Sequence, residues 1–137
     1  MIKINPPIRN DKHGQGHYLA SRGHREHNGI DYNCPAGSIV LSNCNGRVTK
    51  IGRPYYIENP REYKDKLKNS YRYVEITGLD GIARRFFYIK PNVKLSDTIC
   101  TGDPIGTVMR MYLPDMKDHL HFECEKDGEN IDPRPYV

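Results

Sequence analysis

Asp118-His119-Leu120-His121-Phe122-Glu123 alternates apolar and polar residues in a period of two. That is the spacing of a half-buried β-strand, in which residues two apart share a face. On such a strand Leu120, Phe122 and Cys124 turn into a core, while His119 and His121 stand side by side on the opposite face. Far upstream, His27-Asn28-Gly29-Ile30-Asp31 adds a His/Asp pair on either side of a bend-prone Asn-Gly. Two imidazoles on one rigid face and a distant His/Asp pair are the components of a catalytic zinc centre, which takes three protein ligands and leaves a position for water. Taken singly, His-x-His and His-x3-Asp are common surface spacings, so the signal lies in their co-occurrence.

Outward from this strand the chain reads as short strands punctuated by turns. Residues 38–44 and 47–51 flank Asn45-Gly46, a dipeptide suited to a tight hairpin. Residues 71–77 and 82–89 flank Leu79-Asp80-Gly81, and Asp127-Gly128 closes the His119 strand. Residues 105–112 are a further strand candidate. One helix is expected over 59–69, with Asn59 as its cap and Pro60 in its first turn. Residues 1–26 are polar, rich in Gly and His and without a period, as in an extended arm or loop. The expected class is all-β: antiparallel sheets in a compact sandwich or half-barrel core, with long loops and at most one short peripheral helix.

A length of 137 residues suits one domain with one core. No run approaches the roughly 18 apolar residues of a membrane span, so membrane insertion is not expected. Met1-Ile2-Lys3-Ile4-Asn5-Pro6-Pro7 has no apolar segment of the kind a cleaved secretory signal needs. The net charge of +4 comes from Lys and Arg spread along the chain, which reads as solubility rather than a nucleic-acid surface. Cys34, Cys44, Cys100 and Cys124 show no CxxC spacing; they are expected to be reduced, buried thiols rather than a zinc knuckle, with one disulfide as the alternative.

Gly23-His24-Arg25-Glu26-His27-Asn28-Gly29-Ile30-Asp31-Tyr32, Pro35-Ala36-Gly37-Ser38-Ile39-Val40 and Asn45-Gly46-Arg47-Val48 are followed by Gly102-Asp103-Pro104-Ile105-Gly106, then by His119-Leu120-His121-Phe122-Glu123, Asp127-Gly128 and Asp132-Pro133. In this order they resemble the motifs of the lysostaphin/LytM-type zinc endopeptidase domain, peptidase family M23. The resemblance runs from residue 22 to 137, leaving an arm at 1–21 and an insertion at 54–69.

Carried over, the resemblance implies Zn2+ ligands His27, Asp31 and His121 and a catalytic histidine at His119. That division is chemically sound. Two histidines and one carboxylate leave a position for water, whose pKa zinc lowers from about 15.7 to about 7. A neutral imidazole beside it is a suitable base near pH 7. Glu123 shares the histidines' face and reads either as a partner orienting a ligand or as a solvated strand-end glutamate.

The chain departs from the family at one point. Members usually carry a second catalytic histidine in a Tyr-x-His-Leu segment after a hairpin, and Phe87-Tyr88-Ile89-Lys90-Pro91 puts Lys90 in that place. A lysine can donate a hydrogen bond and positive charge to an oxyanion, but acts as a base only with a strongly depressed pKa. Two alternatives stay open: Lys90 facing solvent, and His24, His17 or His13 reaching in from the arm. The insertion, with Tyr55 and Tyr56 beside lysines, reads either as a groove wall or as a solvated loop.

The implied activity is hydrolysis of peptide cross-links or bridges in bacterial peptidoglycan, with a stem or bridge peptide as partner. Without a leader, such an enzyme made in the cytoplasm would reach the wall through a phage, as an endolysin or in a virion tail assembly, or by another export path. A catalytically weak or inactive relative, serving as a wall-binding or virion structural module, is the alternative. A non-haem iron oxygenase also uses two histidines and a carboxylate on a β fold, but a further histidine beside the distal ligand suits hydrolysis better.

Overall fold

The computed structural model describes residues 8–21 and 27–137. In chain order the strands are β1 (Asn10–Asp11), β2 (Gly14–Gln15), β3 (Ile30–Asn33), β4 (Ile39–Leu41), β5 (Gly46–Gly52), β6 (Arg72–Gly78), β7 (Ala83–Pro91), β8 (Thr98–Ile99), β9 (Pro104–Val108), β10 (His119–Lys126) and β11 (Glu129–Ile131). Between β5 and β6 lies the helix α1 (Tyr63–Ser70), and a 3-10 turn, Arg134–Tyr136, follows β11. Strands β3 to β11 form one antiparallel sheet, in which the path β11-β10-β7-β6-β5-β8 does not close into a barrel. β3 adds to β10, and β9 joins β4 to β7. This is the expected antiparallel all-β class.

The alternation in β10 divides its side chains as expected: Leu120, Phe122 and Cys124 are buried in the core with Val74, Ile76 and Phe86. Phe122 lies opposite Phe86 in the β10–β7 register, with ring centroids 5.2 Å apart. Both 79–81 and 127–128 turn hairpins. Asp127 and Gly128 take φ of 52° and 81° between the paired residues Lys126 and Glu129, the double positive φ of a type I′ turn.

Asn45-Gly46 does not turn a hairpin, because β4 pairs with β9 whereas β5 pairs with β6 and β8. Asn45 instead ties loops together: its Oδ1 accepts from Thr101 N at 2.8 Å and its carbonyl accepts from Leu79 N at 3.3 Å. The helix begins later than expected. Asn59 takes a left-handed φ of 54°, which a helix cannot continue, and Glu62 becomes the cap residue. The strand expected over 105–112 ends at Val108. The cysteines are free thiols, with Cys44 and Cys124 buried, Cys34 partly so and Cys100 exposed. No helix among the described residues is long and apolar enough to cross a membrane.

The described part of the N-terminal segment, 8–21, is laid along β3. Ile8 bridges to Tyr32, and the small hairpin of β1 and β2 places Arg9 and Gly16 on either side of Asp31.

Candidate metal centre and cleft

β10 and β3 run side by side with His121 opposite Asp31 and His119 opposite Asn33. The bend before β3 then brings His27 back over the same spot. Gly29 permits this approach: a Cβ there would lie 2.4 Å from Phe122 O and 2.9 Å from the His121 ring. Three atoms converge as a result. His121 Nδ1 lies 2.8 Å from Asp31 Oδ1 and 3.0 Å from His27 Nε2, and His27 Nε2 lies 3.2 Å from Asp31 Oδ1. A tetrahedral zinc with bonds of the usual length separates its ligand atoms by about 3.3 Å, so the tripod is a slightly contracted zinc-sized site.

The other ring nitrogens are committed. His27 Nδ1 lies 3.0 Å from His17 O and His119 Nδ1 lies 2.8 Å from Lys117 O. A carbonyl only accepts, so both nitrogens carry the proton and donate. His121 Nε2 lies 3.0 Å from Glu123 Oε1, the arrangement that fixes a metal-binding imidazole from behind. With those protons on the outer nitrogens, the lone pairs of His27 Nε2, His121 Nδ1 and Asp31 Oδ1 face one another. That arrangement requires a positive charge between them: an added proton, which turns the contacts with Asp31 into donated hydrogen bonds, or a metal ion. His27, Asp31 and His121 form a group of residues able to hold such an ion.

The titration behaviour follows from these contacts. Burial opposes charge on His121, but hydrogen bonds and charge from Asp31 and Glu123 prevail and lift its pKa to about 9. Burial opposes charge on Asp31 too, yet hydrogen bonds from His121 and His27 hold it well below the usual carboxylate range. For His119 burial wins over the attraction of Asp31, so its pKa falls and the ring is neutral at pH 7. Its Nε2, 3.9 Å from Asp31 Oδ2, carries the free lone pair of a base.

Lys90 is not brought to this group. It is exposed, pairs with Thr107 of β9, and does not line the cleft. The reason is a β-bulge: Tyr73 pairs with Phe87 but Arg72 pairs with Ile89, so β7 holds one extra residue, Tyr88, at a left-handed φ of 69°. With Phe86 and Ile89 both in the core, Phe87 and Tyr88 both reach the site. Phe87 meets the His121 ring edge-on at 5.0 Å and Tyr88 meets His119 at 5.3 Å. Burial and the neighbouring Tyr55 raise the Tyr88 pKa well above its ordinary value, so the phenol keeps its proton. Counting aromatic-x-x-aliphatic from Phe86 rather than from Tyr88 would have put Tyr88 in the third place and apolar Ile89, not Pro91, in the fourth.

Of the three arm histidines, His13 lines the cleft but is bonded to Asp115 at 2.6 Å, and His17 is exposed and offers its carbonyl. His24 lies outside the described residues. The cleft has a volume of about 360 Å³. Beyond the histidines it is lined by Tyr55, Tyr88, Met111, Tyr112 and Met116. Tyr55 comes from the insertion and stacks on Tyr88 at 6.3 Å, and Lys68 of α1 sits over the Tyr112 ring at 4.1 Å. The insertion is thus part of the wall.

The model of peptidase family M23 matches residues 25–133, and the chain belongs to that family. It is 30% identical to leukocyte cell-derived chemotaxin-2 of Mus musculus over 93% of this chain and 76% of the relative, and 32% identical to the Bos taurus protein of the same name over 88% and 75%. Among solved structures it is similar to the catalytic domain of the prophage-encoded M23 protein EnpA from Enterococcus faecalis, with TM-score 0.69, 18% identity and coverage of 98% of this chain and 95% of that one. LytU gives a TM-score of 0.68 at 25% identity, covering 96% and 84%. The catalytic domain of the antimicrobial peptidase lysostaphin from Staphylococcus simulans gives 0.62 at 21%, covering 93% and 91%.

Proposed function

We propose that this protein is a zinc-dependent endopeptidase that hydrolyses peptide cross-links or bridges of bacterial peptidoglycan. One observation carries the reading: His27 Nε2, Asp31 Oδ1 and His121 Nδ1 converge with their lone pairs inward, beside the neutral His119, in an open cleft. Family membership supports the reaction class. The wall substrate follows from the family resemblance, and similarity to an antimicrobial peptidase agrees with it. Delivery by a phage, as an endolysin or virion component, belongs to the same proposal, and the similarity to a prophage-encoded protein favours it.

When bound by His27, Asp31 and His121, zinc would supply a Lewis acid for the scissile carbonyl and acidify a water. The chain's own residues do the rest. His119 Nε2 accepts the proton of the attacking water and can return it to the leaving amine, while its Nδ1–H on Lys117 O keeps the ring in the useful tautomer. Tyr88, protonated at working pH and flanking His119, donates its O–H to the developing oxyanion. This gives the electrostatic role first expected of Lys90 to Tyr88. The aromatic wall of Tyr55, Tyr88 and Tyr112 holds the peptide and narrows access for bulk water.

Digestion of purified peptidoglycan, with and without chelator, tests the proposal by mass analysis of the fragments. New amino termini in stem or bridge peptides, lost on chelation, are the expected result. Release of reducing sugars alone would refute it. A second reading, a binding module with little or no turnover, draws on two observations: the relatives that carry the name chemotaxin, and a phenol in place of an imidazole beside His119. It requires that His119→Ala leave biological activity intact.

A further inference from the structure

Residues 8–16 clamp the main chain of Asp31. Arg9 N donates to Asp31 O at 2.7 Å, Asp31 N donates to Gly16 O at 2.8 Å, and Gly16 N donates to Arg9 O at 2.6 Å. The three strands approach so closely that a Cβ on Gly16 would lie 2.7 Å from Asp31 O and 2.8 Å from Asp31 Cβ. The side chain is held as well. Arg9 is only 3% exposed, and its Nε and Nη2 each lie 3.1 Å from Asp31 Oδ2. Its Nη1 donates to Asp11 Oδ1 at 2.9 Å. Asp11 is anchored in turn, accepting from His13 N at 2.8 Å and from Lys117 N at 3.0 Å. Lys117 also supplies the carbonyl that holds His119.

The carboxylate of Asp31 is therefore divided: Oδ2 is bound by Arg9 and Oδ1 faces His27 and His121. We propose that Arg9 is a positioning residue of the metal centre, which presents Oδ1 alone to the metal and so enforces a one-oxygen carboxylate ligand. The proposal rests on the zinc reading above. The planar fork of arginine spans Asp31 and Asp11 from one fixed plane, whereas a lysine ammonium is a point charge that cannot. A freely rotating carboxylate would offer both oxygens, raising the coordination number and filling the position a substrate carbonyl needs. The guanidinium also draws charge from the ligand, so a bound cation keeps more of its Lewis acidity. The described part of the arm is thus the outer shell of the site, with His17 orienting His27 in the same way.

The test uses the full chain with Zn2+ alone and Co2+ alone. Zinc affinity is measured by competition with a chromophoric chelator, and geometry by the visible absorption of the Co2+ form. Arg9→Met is expected to weaken zinc roughly 10- to 100-fold, the usual loss for an outer-shell partner, and to reduce the intensity of the four-coordinate Co2+ bands. Arg9→Lys keeps the buried cation and with it the fold, monitored by Tm, yet is expected to shift the Co2+ bands and lose affinity in the same direction. Wild-type affinity and wild-type Co2+ bands in Arg9→Lys overturn the proposal whatever Arg9→Met does. Failure of the wild-type chain to bind one zinc would overturn the zinc reading itself, a separate result seen before any variant is made.

Discussion

Glu123 holds His121 from behind: its Oε1 lies 3.0 Å from His121 Nε2, while Nδ1 of the same ring faces Asp31 Oδ1 at 2.8 Å. Glu123 is itself braced by Arg85, whose Nη1 lies 3.6 Å from Oε2. A carboxylate on the far nitrogen fixes ring orientation and makes the near nitrogen a better donor to metal. Glu123→Leu is therefore expected to weaken zinc roughly 10- to 100-fold. Glu123→Gln, whose amide oxygen still accepts from Nε2–H, should lose less. Chelator competition measures both, and three equal affinities would reduce Glu123 to a salt-bridge partner of Arg85.

The bulge at Tyr88 separates two residues that the sequence places close together. Tyr88→Phe removes only the hydroxyl, leaving the ring against His119, and should lower kcat on peptidoglycan roughly 10²-fold with little change in KM, as loss of one oxyanion donor does. Lys90→Ala should leave turnover unchanged, because Lys90 is exposed and outside the cleft. Steady-state digestion of soluble cross-linked fragments separates the two. A loss in Lys90→Ala with an unchanged Tyr88→Phe would reverse the assignment.

The period-two run of β10 and the hairpin turns at 79–81 and 127–128 were legible because local chemistry and tertiary structure agree there. The candidate set of His27, Asp31, His119 and His121 was legible in a strand face and an Asn-Gly bend, but the choice of His121 over His119 as the third member of the converging group came from the family resemblance. The bulge was not, since a tyrosine in the left-handed region carries no signature and persists only because the surrounding sheet imposes it. Arg9 was hidden by composition. A polar, glycine-rich stretch reads as an arm, yet its guanidinium is buried because Asp31 and Asp11 neutralise it. Asn45 illustrates the opposite case, a strong turn dipeptide overruled by strand partners distant in sequence.

Asp80 and Arg84 clasp the β6–β7 turn. Two bonds of 3.0 and 2.8 Å join them, and the hydrogen bond from Arg84 is the chief reason that the Asp80 pKa falls to about 2. A depressed carboxylate contributes stability above its unfolded pKa near 3.8, and that contribution is lost as pH falls from there toward 2. Asp80 is half-exposed, so solvent screens the pair and the contribution is on the order of 1 kcal/mol or less. Asp80→Asn should lower Tm by a few degrees at pH 7 and remove part of the decline between about pH 4 and about pH 2. Thermal melts across that range in wild type and variant provide the measurement; parallel curves would refute the assignment.

Phe86 and Phe122 link the stability of the sheet to the geometry of the site. They face each other across β7 and β10 without solvent exposure, each one residue from a group that lines the cleft: Phe87 after Phe86, and His121 and Glu123 around Phe122. Truncation of either ring removes a large buried surface and leaves a cavity that close-packed neighbours fill only in part. Phe122→Ala should therefore cost about 3–5 kcal/mol in denaturant unfolding, and Phe122→Leu considerably less. Because β10 carries His119 and His121, the loss should also appear in zinc affinity well below the unfolding midpoint. If Phe122→Ala lost stability but kept wild-type zinc affinity, the proposed ligands His27, Asp31 and His121 would keep their arrangement without the packing beneath β10.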